Sequence, residues 1–302
     1  MCRMLVFKGE SPILLADLLT RPAHSIIMQS VNCKLLLDWR RNTNGDGFGI
    51  GWYDEPQESG CIFTSTLPAW GNLNLQRLAE KIKSKQIFAH VRATTGGTAT
   101  SESNCHPWQF GNLMWMHNGM IGGFPKIKRK IQASLKEEIY LSIQGTTDSE
   151  HAFAVFLNQL DDPMKKSFTY TELKDAMLKT IALLNQWLEE EGIEDLSLLN
   201  FALTDGENIV CTRYVNRSDR EGTSLFFSSG SKFQSEENGQ YRMIKANKRE
   251  DVVVVASEPL TYERTDWLVV PTNTVLVITS KFNVLQYPII DKHHTTKKRS
   301  TF

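Results

Sequence analysis

Cys2 follows the initiator methionine, so a single proteolytic cut would make it the first residue. A free N-terminal cysteine carries a thiol and an α-amine on one residue. That amine titrates at roughly 7.7–8.0, near enough to neutral to act as general base for its own thiol. The plainer reading is a small residue at a frayed start. Against it, Arg3-Met4-Leu5-Val6-Phe7 reads as a strand, which would anchor the terminus in a sheet.

Four further segments could carry chemistry. In His90-Val91-Arg92-Ala93-Thr94-Thr95-Gly96-Gly97, an arginine at a strand end beside a Thr/Gly loop can hold a carboxylate in bidentate geometry. A surface ion pair is its ordinary alternative. In Asn104-Cys105-His106-Pro107-Trp108, His106 is a candidate base or a loop residue bonded to backbone. In Met116-His117-Asn118-Gly119, Asn-Gly is a common turn, but an Asn amide plus the next Gly N–H also makes a two-donor oxyanion hole. In Thr146-Thr147-Asp148-Ser149-Glu150, Thr147 and Glu150 form a capping box. Asp148 is left over on the first helical turn, where a carboxylate can face a ligand ammonium. The glycines of Gly45-Asp46-Gly47-Phe48-Gly49 lead into a strand and lack phosphate-loop spacing, so a tight turn and close sheet packing explain them.

The elements that must hold these groups follow from periodicity and breakers. Strands are expected at 1–8, Phe48–Tyr53, Cys61–Ser65, Gln86–Arg92 and Leu113–His117. Helical pieces are expected at Pro12–Leu19, Val31–Trp39, Leu75–Lys83, Lys126–Ser142, from Thr147, and at Thr171–Glu191. Strands then return at Leu198–Thr204, Ile209–Tyr214, Leu225–Ser228, Tyr241–Ile244, Val252–Ala256, Trp267–Val270, Val275–Thr279 and Val284–Tyr287. Residues 215–224 and 231–240 read as mobile surface loops. The order is strands, helices, strands rather than a βαβ repeat, which argues for an α+β protein of two antiparallel sheets with a helical layer. A single domain over residues 1–280 is expected, with a C-terminal strand and a partly disordered basic tail over 281–302.

The 302 residues are 41% apolar and 23% charged with zero formal net charge. That balance gives no bulk electrostatic case for nucleic acid or anionic membrane. No run reaches the length of a membrane span, and Lys8, Glu10 and Asp17 interrupt any signal-peptide core. Five widely spaced cysteines, Cys2, Cys33, Cys61, Cys105 and Cys211, fit a reducing compartment, so a cytoplasmic protein is expected. No zinc-type spacing is present, and no metal is expected.

Taken together, Cys2, the H-V-R-x-x-T-x-G stretch from His90 to Gly97, His117-Asn118-Gly119 and Thr147-Asp148-Ser149-Glu150 resemble the class II glutamine amidotransferases. These are N-terminal-nucleophile hydrolases with a four-layer αββα sandwich of two mostly antiparallel sheets. By the resemblance Cys2 is the nucleophile and its freed amine the base. Asn118 and Gly119 form the oxyanion hole. Arg92 binds the substrate α-carboxylate and Asp148 its α-ammonium; Thr95 and His117 line the substrate site. No cofactor is implied. The large synthetases of the class typically begin Cys-Gly, whereas Arg3 follows Cys2 here. Met-Cys-Arg, Asn104–Pro107 and Ser257-Glu258-Pro259-Leu260 resemble a smaller branch that acts on γ-glutamyl amides, in the fungal case with a peptidase-like partner subunit.

The resemblance therefore implies hydrolysis of a γ-glutamyl amide such as glutathione, releasing glutamate. A glutaminase feeding ammonia to a separate synthase and a non-catalytic γ-glutamyl-binding subunit are the alternatives. From the residues alone, a Cys–His hydrolase using His90, His106 or His117 also stays open.

Overall fold

The computed structural model describes residues 2–35, 43–55, 58–94, 100–245 and 250–294. In chain order the elements begin with β1 (Arg3–Leu14), α1 (Ala16–Leu19), α2 (Ile26–Val31), β2 (Phe48–Trp52), β3 (Cys61–Ser65), α3 (Leu73–Ala79) and β4 (Lys83–Val91). Next come β5 (Trp108–Phe110), β6 (Leu113–Met120), α4 (Phe124–Ser134), α5 (Glu137–Ser142), α6 (Asp148–Leu157) and α7 (Tyr170–Glu190). The strands β7 (Leu198–Thr204), β8 (Ile209–Arg213), β9 (Phe226–Gly230), β10 (Lys232–Ser235), β11 (Tyr241–Ile244), β12 (Val252–Ala256), β13 (Leu268–Val269), β14 (Thr274–Ile278) and β15 (Val284–Pro288) follow.

Two antiparallel sheets result. One has the order β13-β9-β12-β1-β4-β2-β3, the other β15-β14-β8-β7-β6-β5, and β10 and β11 form a separate hairpin. The period of two along each strand sorts side chains into layers. Met4, Val6, Phe88, Val253 and Val255 of the first sheet pack against Met114, Met116, Ala202, Ile209 and Leu276 of the second. Their alternates Leu5, Phe7, Ile87, Ala89 and Val254 instead pack with α1 to α3. On the far side Trp115, Phe201, Leu203 and Val277 pack with α4 to α7. The architecture is the αββα sandwich.

Several expected boundaries shift. Residues 12–14 are strand rather than helix: β1 pairs Ile13 with Ser84 and Leu14 with Lys83 after a register shift beyond Lys8. Lys83 accordingly belongs to β4, and the preceding helix stops at Ala79. The helix expected over Val31–Trp39 sits earlier, because Ser25 caps it through Met28 N and Asn32 leaves the helical region; residues 36–39 lie outside the described residues. Lys126–Ser142 divides into two helices at Leu135, whose backbone is extended. The loop expected at 231–240 contains β10, paired with β11 from Lys232↔Ile244 to Ser235↔Tyr241. Segment 215–224 is partly buried: Arg213 donates to the carbonyls of Thr223 and Gly222 and fixes it.

Candidate active site

Strand parity brings the site together. Cys2 precedes Met4 and Val6 on the face of β1 that looks between the sheets. Arg92 continues the Phe88–His90 face of β4, Asn118 the Met114–Met116 face of β6, and Ser257 the Val253–Val255 face of β12. Antiparallel pairing aligns the same ends, with Arg3 opposite Val91 and Leu5 opposite Ala256. Cys2, Arg92, Asn118 and Ser257 therefore share one layer, reached from four strands.

Cys2 is buried, and its Sγ lies 3.4 Å from Ala93 N and 3.5 Å from Ala93 O. Burial pushes the thiol above its ordinary pKa; the Ala93 N–H and the Arg92 charge oppose this, and Asp148 adds to it. A thiol held protonated needs a base. Among the described residues no imidazole bonds Sγ. His90 stacks on His106 with ring centroids 3.8 Å apart, and its Nε2 lies 3.1 Å from the His117 carbonyl. Burial holds His90 down to about 3 and His106 well below its ordinary value, so both rings are neutral. Gly49 admits this arrangement: a Cβ there would lie 2.0 Å from the His106 carbonyl oxygen.

Arg92 is only 3% exposed. Among the described residues its guanidinium makes one hydrogen bond, to the Asp46 carbonyl at 3.3 Å, and meets no carboxylate. Asp46 braces the same corner, its Oδ2 accepting from Thr94 N and Oγ1 at 2.8 and 2.9 Å. Thr95 lies outside the described residues.

Asp148 opens α6 behind the N-cap Thr147. Its Oδ2 accepts from Ile121 N at 2.7 Å and its Oδ1 from Ser149 N at 2.8 Å. Oδ1 also accepts from Ser149 Oγ at 3.2 Å, so Oδ2 keeps the free lone pair, and no cation pairs with the carboxylate among the described residues. The capping box is half formed. Thr147 accepts from Glu150 N, but the Glu150 carboxylate takes Gln144 N and Gly145 N instead. The complete box is at Thr169 and Glu172 of α7.

Asn118 and Gly119 lie beyond the end of β5, which stops opposite Trp115, so there β6 is paired with β7 alone. Gly119 has no room for a side chain: a Cβ would sit 1.7 Å from the Leu198 carbonyl oxygen. His117 faces away from this layer. Its Nε2 donates to the Leu198 carbonyl at 2.9 Å, its Nδ1 lies 2.9 Å from Ser149 Oγ, and Phe201 packs on the ring. Both ring nitrogens are thus occupied within the protein. The strand parity that turns Asn118 inward turns His117 outward, so His117 braces α6 against β6 instead of facing Cys2.

A second buried polar cluster lies beside Cys2 and carries no local sequence signal. Glu258 is almost fully buried and pairs with Arg3 at 2.8 Å and His24 at 2.7 Å, while its carboxylate accepts from Lys34 N and Leu35 N. Arg3 in turn donates to the Cys2 carbonyl at 2.9 Å. Burial alone would raise the Glu258 carboxyl; the His24 bond, the Arg3 charge and the two N–H groups overcome it and hold it at about 2. Glu258→Ala should therefore destabilise the fold by about 3–5 kcal/mol, because Arg3 is left charged and buried. Glu258→Gln carries the pH signature. A depressed carboxyl stabilises above its unfolded value of about 4.3 and loses that contribution as pH falls toward 2. The deficit of Glu258→Gln in denaturant unfolding should shrink across that window, and a pH-independent deficit would show that the charge is not what matters.

Among the described residues, no group of three or more His, Cys, Asp or Glu is placed to hold a metal ion. No helix among them is long and apolar enough to cross a membrane.

The αββα sandwich is the fold of the N-terminal-nucleophile amidohydrolases, and it places Cys2 inward at the strand ends that also carry Arg92. The family "Glutamine amidotransferases class-II" matches residues 16–300, and the chain belongs to it and is an enzyme of that class. It is 49% identical over 308 residues to a probable glutamine amidotransferase, DUG3, of Saccharomyces cerevisiae, covering 97% of this chain and 86% of the yeast protein. It is 30% identical over 125 residues to the gamma-glutamyl-hercynylcysteine sulfoxide hydrolase of Mycolicibacterium smegmatis, covering 40% of this chain and 52% of that one. A class-II glutamine aminotransferase domain protein from Silicibacter pomeroyi superposes with a TM-score of 0.63 at 22% identity, over 96% of this chain and all of that one. The glutamine phosphoribosylpyrophosphate amidotransferase of B. subtilis gives 0.59 at 15%, over 96% of this chain and 49% of that one.

Proposed function

We propose that the processed chain, with Cys2 as its N-terminus, hydrolyses γ-glutamyl amides and releases glutamate. The observation that carries this is the pair of buried or half-buried charges without counter-ions, Arg92 and Asp148, both acting on the Cys2 thiol. An unpaired buried cation is costly and is retained where a ligand supplies the partner. A guanidinium and a carboxylate flanking a nucleophile match the α-carboxylate and α-ammonium of a glutamyl group.

The Cys2 α-amine takes the thiol proton and the sulfur attacks the γ-carbonyl carbon. Asn118 and Gly119 N–H stabilise the resulting oxyanion. The α-ammonium gives its proton to the departing amine as the C–N bond breaks. Water, deprotonated by the same amine, attacks the thioester, and glutamate leaves with Cys2 restored. His117 holds this frame rather than touching substrate.

Glutathione is the preferred substrate. Support comes from the mycobacterial relative, whose name places a γ-glutamyl group on a cysteine derivative, and from the branch features around Cys2 and Ser257. A peptidase-like subunit that removes the dipeptide product fits the same reading, in a cytoplasmic setting. The test is glutamate release from glutathione and from glutamine, by protein whose mass confirms loss of Met1, alone and with that subunit. Turnover of glutathione supports the reading. Turnover of glutamine with glutathione left intact overturns it in favour of ammonia supply to a synthase.

A further inference from the structure

Ser257 is held by three bonds at the junction of the two sheets. Its N–H donates to the Met4 carbonyl at 3.0 Å, Met4 N–H donates to its Oγ at 3.0 Å, and Ser224 Oγ donates to its carbonyl at 2.8 Å. The Asn118 side chain also points Nδ2 at the same Oγ, 3.0 Å away. Two donors therefore converge on one hydroxyl oxygen and saturate its lone pairs, and the hydroxyl proton has no acceptor among the described residues. Meanwhile Asn118 Oδ1 is buried with no partner.

Turning the amide by half a revolution about its last bond repairs the first fault and turns the second into an unpartnered donor that a ligand oxygen can meet. The Ser257 O–H then donates to Asn118 Oδ1, and Nδ2 takes the place where Oδ1 was unpartnered. The shape of the side chain is unchanged. Asn200, opposite Asn118 across the β6–β7 ladder, has no such freedom, because its Nδ2 donates to the Thr223 carbonyl at 3.0 Å.

We infer that Ser257 is the positioning residue of the oxyanion hole: its hydroxyl holds Asn118 by Oδ1 and so presents Nδ2 to the layer shared with Cys2. This rests on the reading of Asn118 as an oxyanion donor. Ser257 also ties that donor to the nucleophile's own strand, since the hydroxyl that orients Asn118 is the one accepting from Met4 N–H, two residues from Cys2.

The test is a double-mutant cycle of Ser257→Ala and Asn118→Ala in the processed enzyme, reading kcat and KM for glutamate release, with thermal unfolding as the fold control. Asn118→Ala should lower kcat about 10²–10³-fold, as for loss of one oxyanion donor. Ser257→Ala should lower kcat about 10-fold with KM within about twofold, and should add nothing in the Asn118→Ala background. A loss of the same size in both backgrounds, a loss in KM alone, or no loss overturns the inference. Full kcat in Asn118→Ala would instead overturn the oxyanion reading itself. If Ser257→Ala does not fold, Ser257→Cys keeps a weak acceptor for Met4 N–H but donates poorly. It should show the same kcat loss, and full kcat there overturns the inference.

Discussion

Cys2→Ala should reduce glutamate release on the order of 10⁴–10⁶-fold while γ-glutamyl ligands still bind, because the variant removes the nucleophile and leaves Arg92 and Asp148 in place. The chemistry depends on two groups of one residue. Burial keeps the Cys2 thiol protonated at neutral pH, and among the described residues no imidazole reaches it. A chain with intact Cys2 but a blocked α-amine, acetylated or still carrying a preceding residue, should therefore be nearly as inactive. In the free enzyme kcat/KM should rise with pH as the amine loses its proton, and the blocked chain should lack that limb. Activity that survives the block would point to a histidine base. Activity that survives Cys2→Ala would remove the nucleophile assignment altogether.

Arg92→Met should lower kcat/KM on the order of 10³-fold, chiefly through KM, as expected when one partner of a desolvated charge pair is deleted. Arg92→Lys should rescue only part of this, since a lysine cannot present the planar fork that grips a carboxylate. The stability of Arg92→Met without ligand separates function from architecture. Among the described residues the guanidinium has one carbonyl bond and no counter-ion, so an apolar chain of similar length should leave the unfolding midpoint unchanged or raise it. Glu258→Ala, by contrast, breaks a fully paired buried cluster and should lower it. A large loss of stability in Arg92→Met would make Arg92 a structural residue and empty the proposed carboxylate site.

The inward face of the site was legible because strand alternation is a local property. Met4 and Val6 predict where Cys2 points, and Met114 and Met116 do the same for Asn118. Read with that alternation, His117 could have been placed on the opposite face from its neighbour, a conclusion that the motif by itself obscures. Asp148 was legible because a capping threonine fixes where the first helical turn begins. Other features were not local. The extension of β1 to Leu14 depends on the length of β4, and the short β5 and β10 exist only through their partners. Ser257 and Glu258 owe their roles to contacts with Met4 and Arg3 some 250 residues earlier. A serine or glutamate after a run of valines carries no signal of such a partner.

That separation has a consequence during synthesis. Arg3 and Glu258 are 255 positions apart, and chains grow at about 5–20 residues per second. Roughly 10–50 s thus pass between emergence of the first strand and that of the segment that locks it. During this interval β1 can pair with β4, but its other edge stays open until β12 arrives. Because Cys2 is buried in the finished sandwich, an aminopeptidase that removes Met1 is expected to act within that window. Chains cut short before residue 252 would keep a long unpaired apolar edge, the kind of surface on which copies of a chain aggregate.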